Sequence, residues 1–565
     1  MTAIVAYANC DHVLVVWRPG SFGSTSRGYA LYRQYVDDQG QPAEAEEPVE
    51  NWTGWEGENV PRGTFKPSTE WPIQRLVWAD LFVNPGRPVR YRVASMNGKK
   101  GALTKGRPTA WTDAVVVTPN ADAGFQAYFN RGIVASQWLT DALGEAQPAA
   151  KLRKSIGEVG NEIRDDLSGQ LRVAMVELLD RALRDKLDVY AALFELDDPE
   201  LLDGLVALGK RAHVVLANGT ADANKKPRDE NVDAANALTG VVDLHRRMVK
   251  QSMFLAHNKF LVVCDKRGAP ASVWTGSTNW TMTGLCTQVN NGLLVRSKPL
   301  ARAFHQRWDD LRQAGDEPPP TLADGVVSAK AKVSGAQVTA WFPPVHDFSD
   351  LADARRHIAA AKHGILFLMF NPGPQSSLLN DIVNRASPLS PTYDEHLYIH
   401  GVLNQDPGTT AHPIVGLFES HRGYYDENFE VVMAWIVQKP FAFWDKELRK
   451  LDGTWAMVHS KVVVVDAFGE RPVVITGSHN LGPKASSAND ENLVIVEGAP
   501  ELAKDYAVNI MGVFLQYRWR FRNRQPDAAT APAKYQWAGL RDSSDWHKGL
   551  VTGARDRELQ FWLGA

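Results

Sequence analysis

The chain has 565 residues, of which 44% are apolar and 22% charged, and 62 Lys and Arg against 65 Asp and Glu give a formal net charge of −3. This composition is typical of folded globular proteins and excludes both a largely disordered chain and a small disulfide-stapled scaffold. The near-neutral balance gives no global electrostatic reason to bind polyanions, although a local basic groove is compatible with it. Three cysteines, Cys10, Cys264 and Cys286, favour a reducing compartment over a disulfide framework.

The amino-terminal residues lack the basic stretch and apolar run of a signal peptide, so Sec-type export is not expected. The most apolar runs are far too short to cross a bilayer and suit buried strands instead. We therefore expect a cytoplasmic protein, or one that is exported by a route independent of a signal peptide.

Residues 1–118 contain short alternating segments separated by turn residues, which predicts a small all-β sandwich. Its predicted strands include Val13–Trp17, Tyr29–Arg33 and Val89–Ser95. The segment resembles a fibronectin type III module, with a Trp on an early strand and Tyr-containing strands further along. This resemblance implies either a targeting or partner-binding module or a passive structural appendage.

From residue 119 the pattern changes to alternating helices and strands. A strand at 187–196, a helix at 199–210 and a strand at 212–217 predict a βαβ unit with parallel strands. Three prolines within 314–324 predict an interdomain linker that forms neither a helix nor a central strand. The predicted domains are therefore 1–118, 119–325 and 326–565, the last with a carboxy-terminal extension.

An internal repeat is the most informative feature of the sequence. One copy contains His257, Lys259 and Asp265, and eleven residues after that Asp begins Gly276-Ser277-Thr278-Asn279. The other copy contains His459, Lys461 and Asp466, and eleven residues after that Asp begins Gly477-Ser478-His479-Asn480. Residues two apart on a strand share a face, so each His shares a surface with its Lys. Two such halves packed together would offer two imidazoles, two cations and two amides, which suit a phosphodiester.

This repeat resembles the H-x-K-x4-D signature of the phospholipase D superfamily, which occurs twice per active site. The resemblance covers roughly residues 120–525 and implies two phospholipase D-like α-β-α sandwich halves that form one pseudo-symmetric α/β unit. It implies that one His attacks phosphorus to give a phosphohistidine, while the other protonates the leaving alcohol and then deprotonates the incoming water or alcohol. It implies no metal and no other cofactor. Imidazole can fill both roles near neutral pH.

The repeat and the resemblance together give a set of candidate site residues. The candidate catalytic residues are His257, Lys259, Asn279, His459, Lys461, Asn480 and Glu491. The candidate supporting residues are Asp265, Ser277, Asn290, Asp466 and Ser478.

The acid of the signature differs between the two copies. Four residues separate Lys461 from Asp466, but in the first copy Cys264 stands at that place and Asp265 follows it. Either a β-bulge restores Asp265 to the usual position or the first half lacks the acid. The equal eleven-residue spacing from Asp to Gly favours the bulge.

A second difference bears on the roles of the two histidines. Eleven positions after the motif Asn, the second copy has Glu491 and the first has Asn290. In the superfamily an acid near this position accepts a hydrogen bond from a catalytic His, often across the two halves. If this crossing occurs, Glu491 stabilises the cationic form of His257, which is then the nucleophile, and His459 is the general acid. The reversed assignment, with Glu491 capping local structure, stays open.

The same chemistry serves several substrates. The near-neutral charge and the single-chain duplication favour a phospholipase D that hydrolyses or transfers phospholipid head groups, and so degrades lipid, as a peripheral protein at a membrane surface. A metal-independent nuclease of the same superfamily is the alternative, because Gly276 to Thr281 resembles that branch equally well and nucleic acid is then the partner. A catalytically inactive binding protein is the third possibility. A monomer is expected, since both motifs lie in one chain.

Overall fold

The computed structural model shows a mixed α/β protein with an all-β amino-terminal region. It describes residues 2–60, 64–119, 124–132, 148–219, 229–250, 254–373, 375–407, 414–415, 425–426, 428–434, 458–522 and 539–564. The helices are α1 Pro148–Gly157, α2 Glu162–Asp185, α3 Pro199–Leu208, α4 Val232–Leu238, α5 Met282–Cys286, α6 Lys298–Ala314, α7 Pro319–Ala323, α8 Ser349–Ala359, α9 Leu378–Ala386, α10 Pro483–Ala488, α11 Pro500–Arg522 and α12 Ala554–Leu563.

Within its described residues, the amino-terminal region contains ten strands. They are β1 Ala3–Ala8, β2 Val13–Arg18, β3 Ser26–Tyr35, β4 Glu47–Pro48, β5 Glu50–Asn51, β6 Lys66–Pro67, β7 Val77–Asp80, β8 Pro88–Lys99, β9 Ala102–Lys105 and β10 Val115–Val116. One sheet has the order β1-β2-β7, and a second has the order β10-β8-β3-β4 with β9 paired to β8. The pairing within both sheets is antiparallel, as the alternating sequence pattern predicts.

Two larger sheets form the α/β part. The first contains β11 Phe125–Phe129, β12 Val189–Leu193, β13 Ala212–Ala217, β14 Asp243–Arg247, β15 Lys259–Cys264, β16 Pro270–Gly276 and β17 Asn291–Val295. The second contains β18 Ser328–Val333, β19 Ala336–Trp341, β20 Gly364–Met369, β21 Tyr398–Leu403, β22 Phe429–Met433, β23 Lys461–Val465, β24 Val473–Gly477 and β25 Leu493–Glu497.

The two sheets have the same topology. The first has the order β11-β17-β16-β15-β12-β13-β14, and the second has the order β19-β25-β24-β23-β20-β21-β22 with β18 added beside β19. In each sheet the last three strands are parallel to one another and the others pair antiparallel. The predicted pseudo-symmetric pair of α/β halves is therefore confirmed as the fold class.

The predicted βαβ unit is present as β12, α3 and β13, with β12 and β13 parallel. Helix α3 begins where the sequence predicts, because the Asp198 side chain accepts a hydrogen bond from the Leu201 amide and Pro199 occupies the first turn. The expectation that the proline-rich linker forms no helix is wrong. Helix α7 begins at Pro319, since the first turn of a helix tolerates a residue without an amide hydrogen.

The motif strands β15 and β23 lie in the middle of their sheets, and every residue in both is buried. A strand that is covered on both faces reads as a continuous apolar run, which is the pattern that follows each motif Lys. These central strands therefore hold the two His-Lys pairs on a rigid framework.

The amino-terminal sheets are packed onto the rest of the chain. The Tyr7 hydroxyl donates to the Trp562 carbonyl at 2.7 Å, and the Trp546 indole donates to the Ser26 carbonyl at 3.1 Å. Arg131 pairs with Asp11 at 2.7 Å, and a single hydrophobic core includes residues of all three regions. Among the described helices, none combines the length and apolar character needed to cross a membrane.

Candidate active site

Each motif His lies just before the strand that its Lys begins. The side chains of His257 and His459 are 4% and 5% exposed, and both lysines are 1% exposed. The Lys259 ammonium donates to the His257 carbonyl at 2.8 Å, and the Lys461 ammonium donates to the His459 carbonyl at 2.6 Å. The two motifs therefore have the same local geometry, with each cation fixed beside its own imidazole.

The two halves meet at the motifs and exchange backbone hydrogen bonds there. The His257 amide donates to the Asp490 carbonyl at 2.9 Å, and the His459 amide donates to the Val289 carbonyl at 2.9 Å. Asp490 lies just before β25 and Val289 just before β17, so each acceptor belongs to the loop before the last strand of the opposite half. The backbone of each motif His is thus held by the other half, which brings both motifs to one interface.

Side chains cross the interface in the same way. His257 Nδ1 lies 3.0 Å from Glu491 Oε1, and His459 Nδ1 lies 3.1 Å from Asn290 Oδ1. Asn290 Oδ1 lies at hydrogen-bond distance and angle from His459 Nδ1, which keeps the ring proton on that nitrogen and leaves Nε2 with its lone pair. Glu491 lies beside His257 without hydrogen-bond geometry to Nδ1, so its carboxylate acts on that ring through its charge. The Glu491 side chain thus reaches the imidazole of the opposite half, as the sequence predicts.

The Gly-Ser segments shape the loops that carry these acceptors. The Ser277 hydroxyl donates to Asn290 Oδ1 at 2.7 Å, and the Ser478 hydroxyl accepts the Asn492 amide at 3.0 Å. Gly276 and Gly477 have φ values of 149° and 140°, and a Cβ on either would lie 2.3 Å from a carbonyl oxygen of the neighbouring strand. Both serines therefore position the loops, and both glycines permit the close approach of two strands.

The two motif asparagines have different partners. Asn279 Nδ2 donates to Glu195 Oε2 at 2.5 Å, whereas the backbone amide of Asn480 donates to Glu491 Oε2 at 3.2 Å. The side-chain oxygen of each Asn is buried and has no hydrogen-bond partner within the described part of the chain. Buried polar atoms normally find partners, so these two oxygens are available to a substrate or to water.

Three residues at the site were missed by the sequence analysis. Phe194 and Phe370 each place a ring 4.8 Å from the imidazole of their own half and 4.8 Å from its Lys ammonium. Glu195 follows Phe194 directly at the end of β12. His257 follows Phe194 by 63 residues while His459 follows Phe370 by 89, so a search at fixed offsets does not find them. The available signal was a Phe at the end of the strand that pairs with each motif strand.

A buried ion pair supports the loop that carries Glu491. Arg247 Nη2 lies 2.9 Å from Asp490 Oδ2, and both side chains are at most 2% exposed. Asp490 also accepts the Asn258 side-chain amide at 3.1 Å. Arg247 and Asn258 belong to the first half and Asp490 to the second, so this pair fixes Glu491 across the interface.

Burial and the clustered cations shift the pKa values of the site. Burial, reinforced by the motif lysines, holds the pKa of His257 and of His459 well below the ordinary imidazole range. Burial also lowers the pKa of Lys259 to about 7, against the attraction of Glu491, Glu195 and Asp490. Both imidazoles are therefore neutral near pH 7, which suits a nucleophile.

Glu491 shows the opposite shift. Burial raises the pKa of its carboxyl to about 7, although His479, Lys259 and Lys461 oppose this. Perturbed ionisable groups that face one another across an interface are characteristic of functional sites.

The two acids of the signature lie outside the site. Asp466 follows β23, five residues beyond Lys461, which places it roughly 16 Å along the strand. Its carboxylate accepts the backbone amides of Lys362, His363 and Gly364. Asp466 therefore caps the entry to β20.

The bulge expected in the first copy does not give Asp265 the place of Asp466. The β15–β16 register does shift between Val263 and Cys264. However, the Cys264 amide donates to the Asp188 carbonyl at 3.0 Å, just as the Asp466 amide donates to the Gly364 carbonyl at 2.9 Å. Cys264 thus occupies the equivalent position, and the Asp265 carboxylate instead accepts amides of its own turn. The first half has no acid at the Asp466 position.

Two parts of the chain are similar to a known protein family. Residues 175–312 and 437–512 match the family model of the cardiolipin synthase, PLD-like domain, and these ranges include both His-Lys motifs. No protein with a curated description matches the chain. Among the described residues, no group of three or more His, Cys, Asp or Glu side chains is arranged to hold a metal ion.

Several solved structures are similar at low sequence identity. Polyphosphate kinase from Porphyromonas gingivalis is 11% identical with a TM-score of 0.38, and the similarity covers 60% of this chain and 44% of the kinase. Phosphatidylserine synthase from Haemophilus influenzae is 10% identical with a TM-score of 0.38, over 65% of this chain and 90% of the synthase. The phospholipase D family member Nuc from Salmonella typhimurium is 23% identical with a TM-score of 0.21, over 26% of this chain and 87% of Nuc.

Proposed function

We propose that the protein is a phosphodiesterase of the phospholipase D type that hydrolyses phospholipid head groups, or transfers them to another alcohol, through a phosphohistidine. The observation that supports this is the crossing of the two halves. It places His257 beside Glu491 and His459 beside Asn290, with a buried Lys at each imidazole. Two imidazoles and two cations at one interface suit a single phosphorus atom and the charge that develops on its oxygens.

The first step follows from the side chains that lie beside the two imidazoles. Nε2 of His257 attacks phosphorus, the bond from phosphorus to the leaving alcohol breaks, and His459 transfers its proton to that oxygen. The phosphorus is then bound to His257, whose cationic ring faces the Glu491 carboxylate. An anion beside a developing cation favours the intermediate, which is why we assign the nucleophile to His257.

The second step returns the site to its starting state. His459, now neutral, removes a proton from water as the water oxygen attacks phosphorus, and the bond to His257 breaks. With a phospholipid the products are the free head-group alcohol and phosphatidic acid, and with an alcohol in place of water the product is a new diester.

His459 must be protonated before the first step, although burial and Lys461 hold its pKa low. A bound diester brings one negative charge between the two lysines, and a nearby anion raises the pKa of an imidazole. Substrate binding therefore favours the protonated form that the first step requires. The neutral amide of Asn290 beside His459, in place of a carboxylate, keeps that proton easy to release.

The proposal extends to the organisation of the chain. We assign residues 1–118 to a fibronectin type III-like module and place the boundary between the two halves at 325–326. The packing of Trp17 against Tyr29, with ring centroids 5.8 Å apart and nearly perpendicular, supports a small sandwich around an early Trp. We also propose that the protein acts as a monomer at the membrane surface.

Arg518 does not contribute to this proposal. Arg518 lies in α11, where its guanidinium contacts Glu430 at 3.2 Å and Glu558 at 3.8 Å. An arginine engaged by two carboxylates is not available for phosphate.

The test is hydrolysis of phosphatidylcholine vesicles and of DNA, each in EDTA, by the wild type and by His257→Ala and His459→Ala. His396→Ala is the matched control, because the His396 side chain is 74% exposed. We expect choline release by the wild type and the control and at least a thousandfold loss in both motif variants. Cleavage of DNA alone would indicate a nuclease, and no reaction on DNA, phosphatidylcholine or phosphatidylethanolamine would refute the proposal. With His459→Ala and a labelled phosphatidyl group, label retained on His257 would support its assignment as the nucleophile.

A further inference from the structure

A carboxylate that the reaction does not require lies inside the candidate site. Glu195 follows Phe194, whose ring contacts His257, and Glu195 Oε2 accepts the Asn279 side-chain amide at 2.5 Å. A second acid is close by: a Cβ built on Gly219 would lie 3.5 Å from Glu195 Cγ and 3.1 Å from Glu230 Oε2. The Glu195 carboxylate therefore lies on the first-half side of the site, with Glu230 nearby.

The charge of Glu195 reaches both motif lysines. It opposes the burial that lowers the pKa of Lys259, and it acts in the same sense on Lys461 in the other half. Since the two lysines are the cations that would hold the phosphate, Glu195 lies within electrostatic range of the bound diester. A fixed negative charge at that place opposes the binding of an anion unless the substrate also carries a cation.

Glu195 breaks the pseudo-symmetry of the site. Leu193 pairs with Lys259 in the first sheet, and Met369 pairs with Lys461 in the second. Glu195 lies two residues beyond Leu193, and Asn371 lies at the equivalent position, two residues beyond Met369. The His, Lys and Phe contacts are present in both halves, so the phosphoryl chemistry does not account for an acid in only one.

Asn279 supplies a further acceptor at the same place. Its side chain is 5% exposed and its Oδ1 has no hydrogen-bond partner within the described residues, while its Nδ2 is used by Glu195. An amide oxygen beside a carboxylate suits a group that is positively charged and also donates hydrogen bonds. A primary ammonium meets both conditions, whereas a quaternary ammonium has no N–H to donate.

We propose that Glu195, together with Asn279 Oδ1, determines substrate specificity by binding the primary ammonium of a zwitterionic phosphodiester such as an ethanolamine head group. The proposal rests on the function proposed above. The phosphate charge is balanced by Lys259 and Lys461, and the ammonium charge is balanced by Glu195, so neither charge is left without a partner. A strand of nucleic acid brings further phosphates and no cation, and Glu195 disfavours it.

Kinetics on vesicles of matched acyl composition test this inference. The substrates are phosphatidylethanolamine, phosphatidylcholine and phosphatidylglycerol, each compared between the wild type and Glu195→Gln. Gln keeps an oxygen that accepts the Asn279 amide but removes the charge. Glu50→Gln, at an exposed position in the amino-terminal region, is the matched control.

We expect the wild type to prefer phosphatidylethanolamine, and Glu195→Gln to raise KM for it about 10- to 100-fold, the loss typical of one charge-assisted contact. On phosphatidylglycerol, which carries no cation, kcat should change less than about threefold and KM should not rise. An equal loss on phosphatidylglycerol would show that Glu195 only positions Asn279, and no loss on any lipid would show that it does not meet substrate. Either result overturns the inference while leaving the phosphodiesterase proposal intact, whereas a wild type that cleaves none of the lipids overturns both.

Discussion

Replacing Glu491 by Gln should stabilise the protein above pH 7 while reducing its activity. The Glu491 side chain is fully buried, and burial raises the pKa of the carboxyl from 4.5 to about 7. Between these values the unfolded chain loses the proton while the native protein retains it, so the free energy of unfolding falls as the pH rises. At about 1.4 kcal/mol per pH unit, the destabilisation reaches about 3 kcal/mol and is complete above pH 7.

Gln cannot ionise, so the variant avoids this loss. Thermal unfolding of the wild type and Glu491→Gln between pH 5 and 8.5 should give curves that diverge as the pH rises and become parallel above pH 7. Glu50→Gln, which alters an exposed side chain, should follow the wild type throughout. A difference that does not vary with pH, or a variant less stable than the wild type at pH 8, would refute the reasoning.

The same substitution should lower kcat roughly a hundredfold, because a neutral amide stabilises the cationic ring of His257 less than a carboxylate does. The variant would then be more stable and less active. That combination is expected where a buried charge is retained for function at a cost in stability.

Three further outcomes can be measured. For the wild type, kcat/KM should rise with pH as Glu491 ionises and fall as Lys259 loses its proton. The two pKa values of about 7 predict a narrow bell-shaped profile centred near pH 7. A flat profile from pH 5 to 9 would contradict these pKa values. Arg247→Met should lower the free energy of unfolding by about 3–5 kcal/mol, because it leaves the buried Asp490 carboxylate without its ion-pair partner. Adding Asp490→Asn should restore part of this loss in the same urea titration. Phe370→Leu should reduce kcat about tenfold with little change in melting temperature, since the ring contacts the His459 imidazole and the Lys461 ammonium rather than forming the main core. An unchanged kcat would show that these contacts are incidental.

Much of the candidate site was accessible from the sequence because its groups recur at fixed offsets. Each His and Lys lies two residues apart at the start of an apolar run, so a central strand carries both on one framework. Glu491 and Asn290 each lie eleven positions after a motif Asn, and this shared spacing made them candidates. The structure places them beside His257 and His459. Local spacing is sufficient here because strand and turn geometry are themselves local.

Other features depend on contacts between distant segments. The eleven-residue spacing favoured Asp265 as the counterpart of Asp466, but strand register gives that position to Cys264. Register is set by pairing with β12, which lies far earlier in the chain. The spacing within one strand therefore could not decide it.

The repeat is enough to predict two similar halves with strand-borne His-Lys pairs. Phe194, Glu195 and Arg247 join the site and its support only through the packing of the sheets, since each reaches it from a strand with no fixed offset to a motif. This follows because the site forms only where two sheets meet. Which side chains face that interface is set by the packing of whole sheets and not by the residues next to each motif.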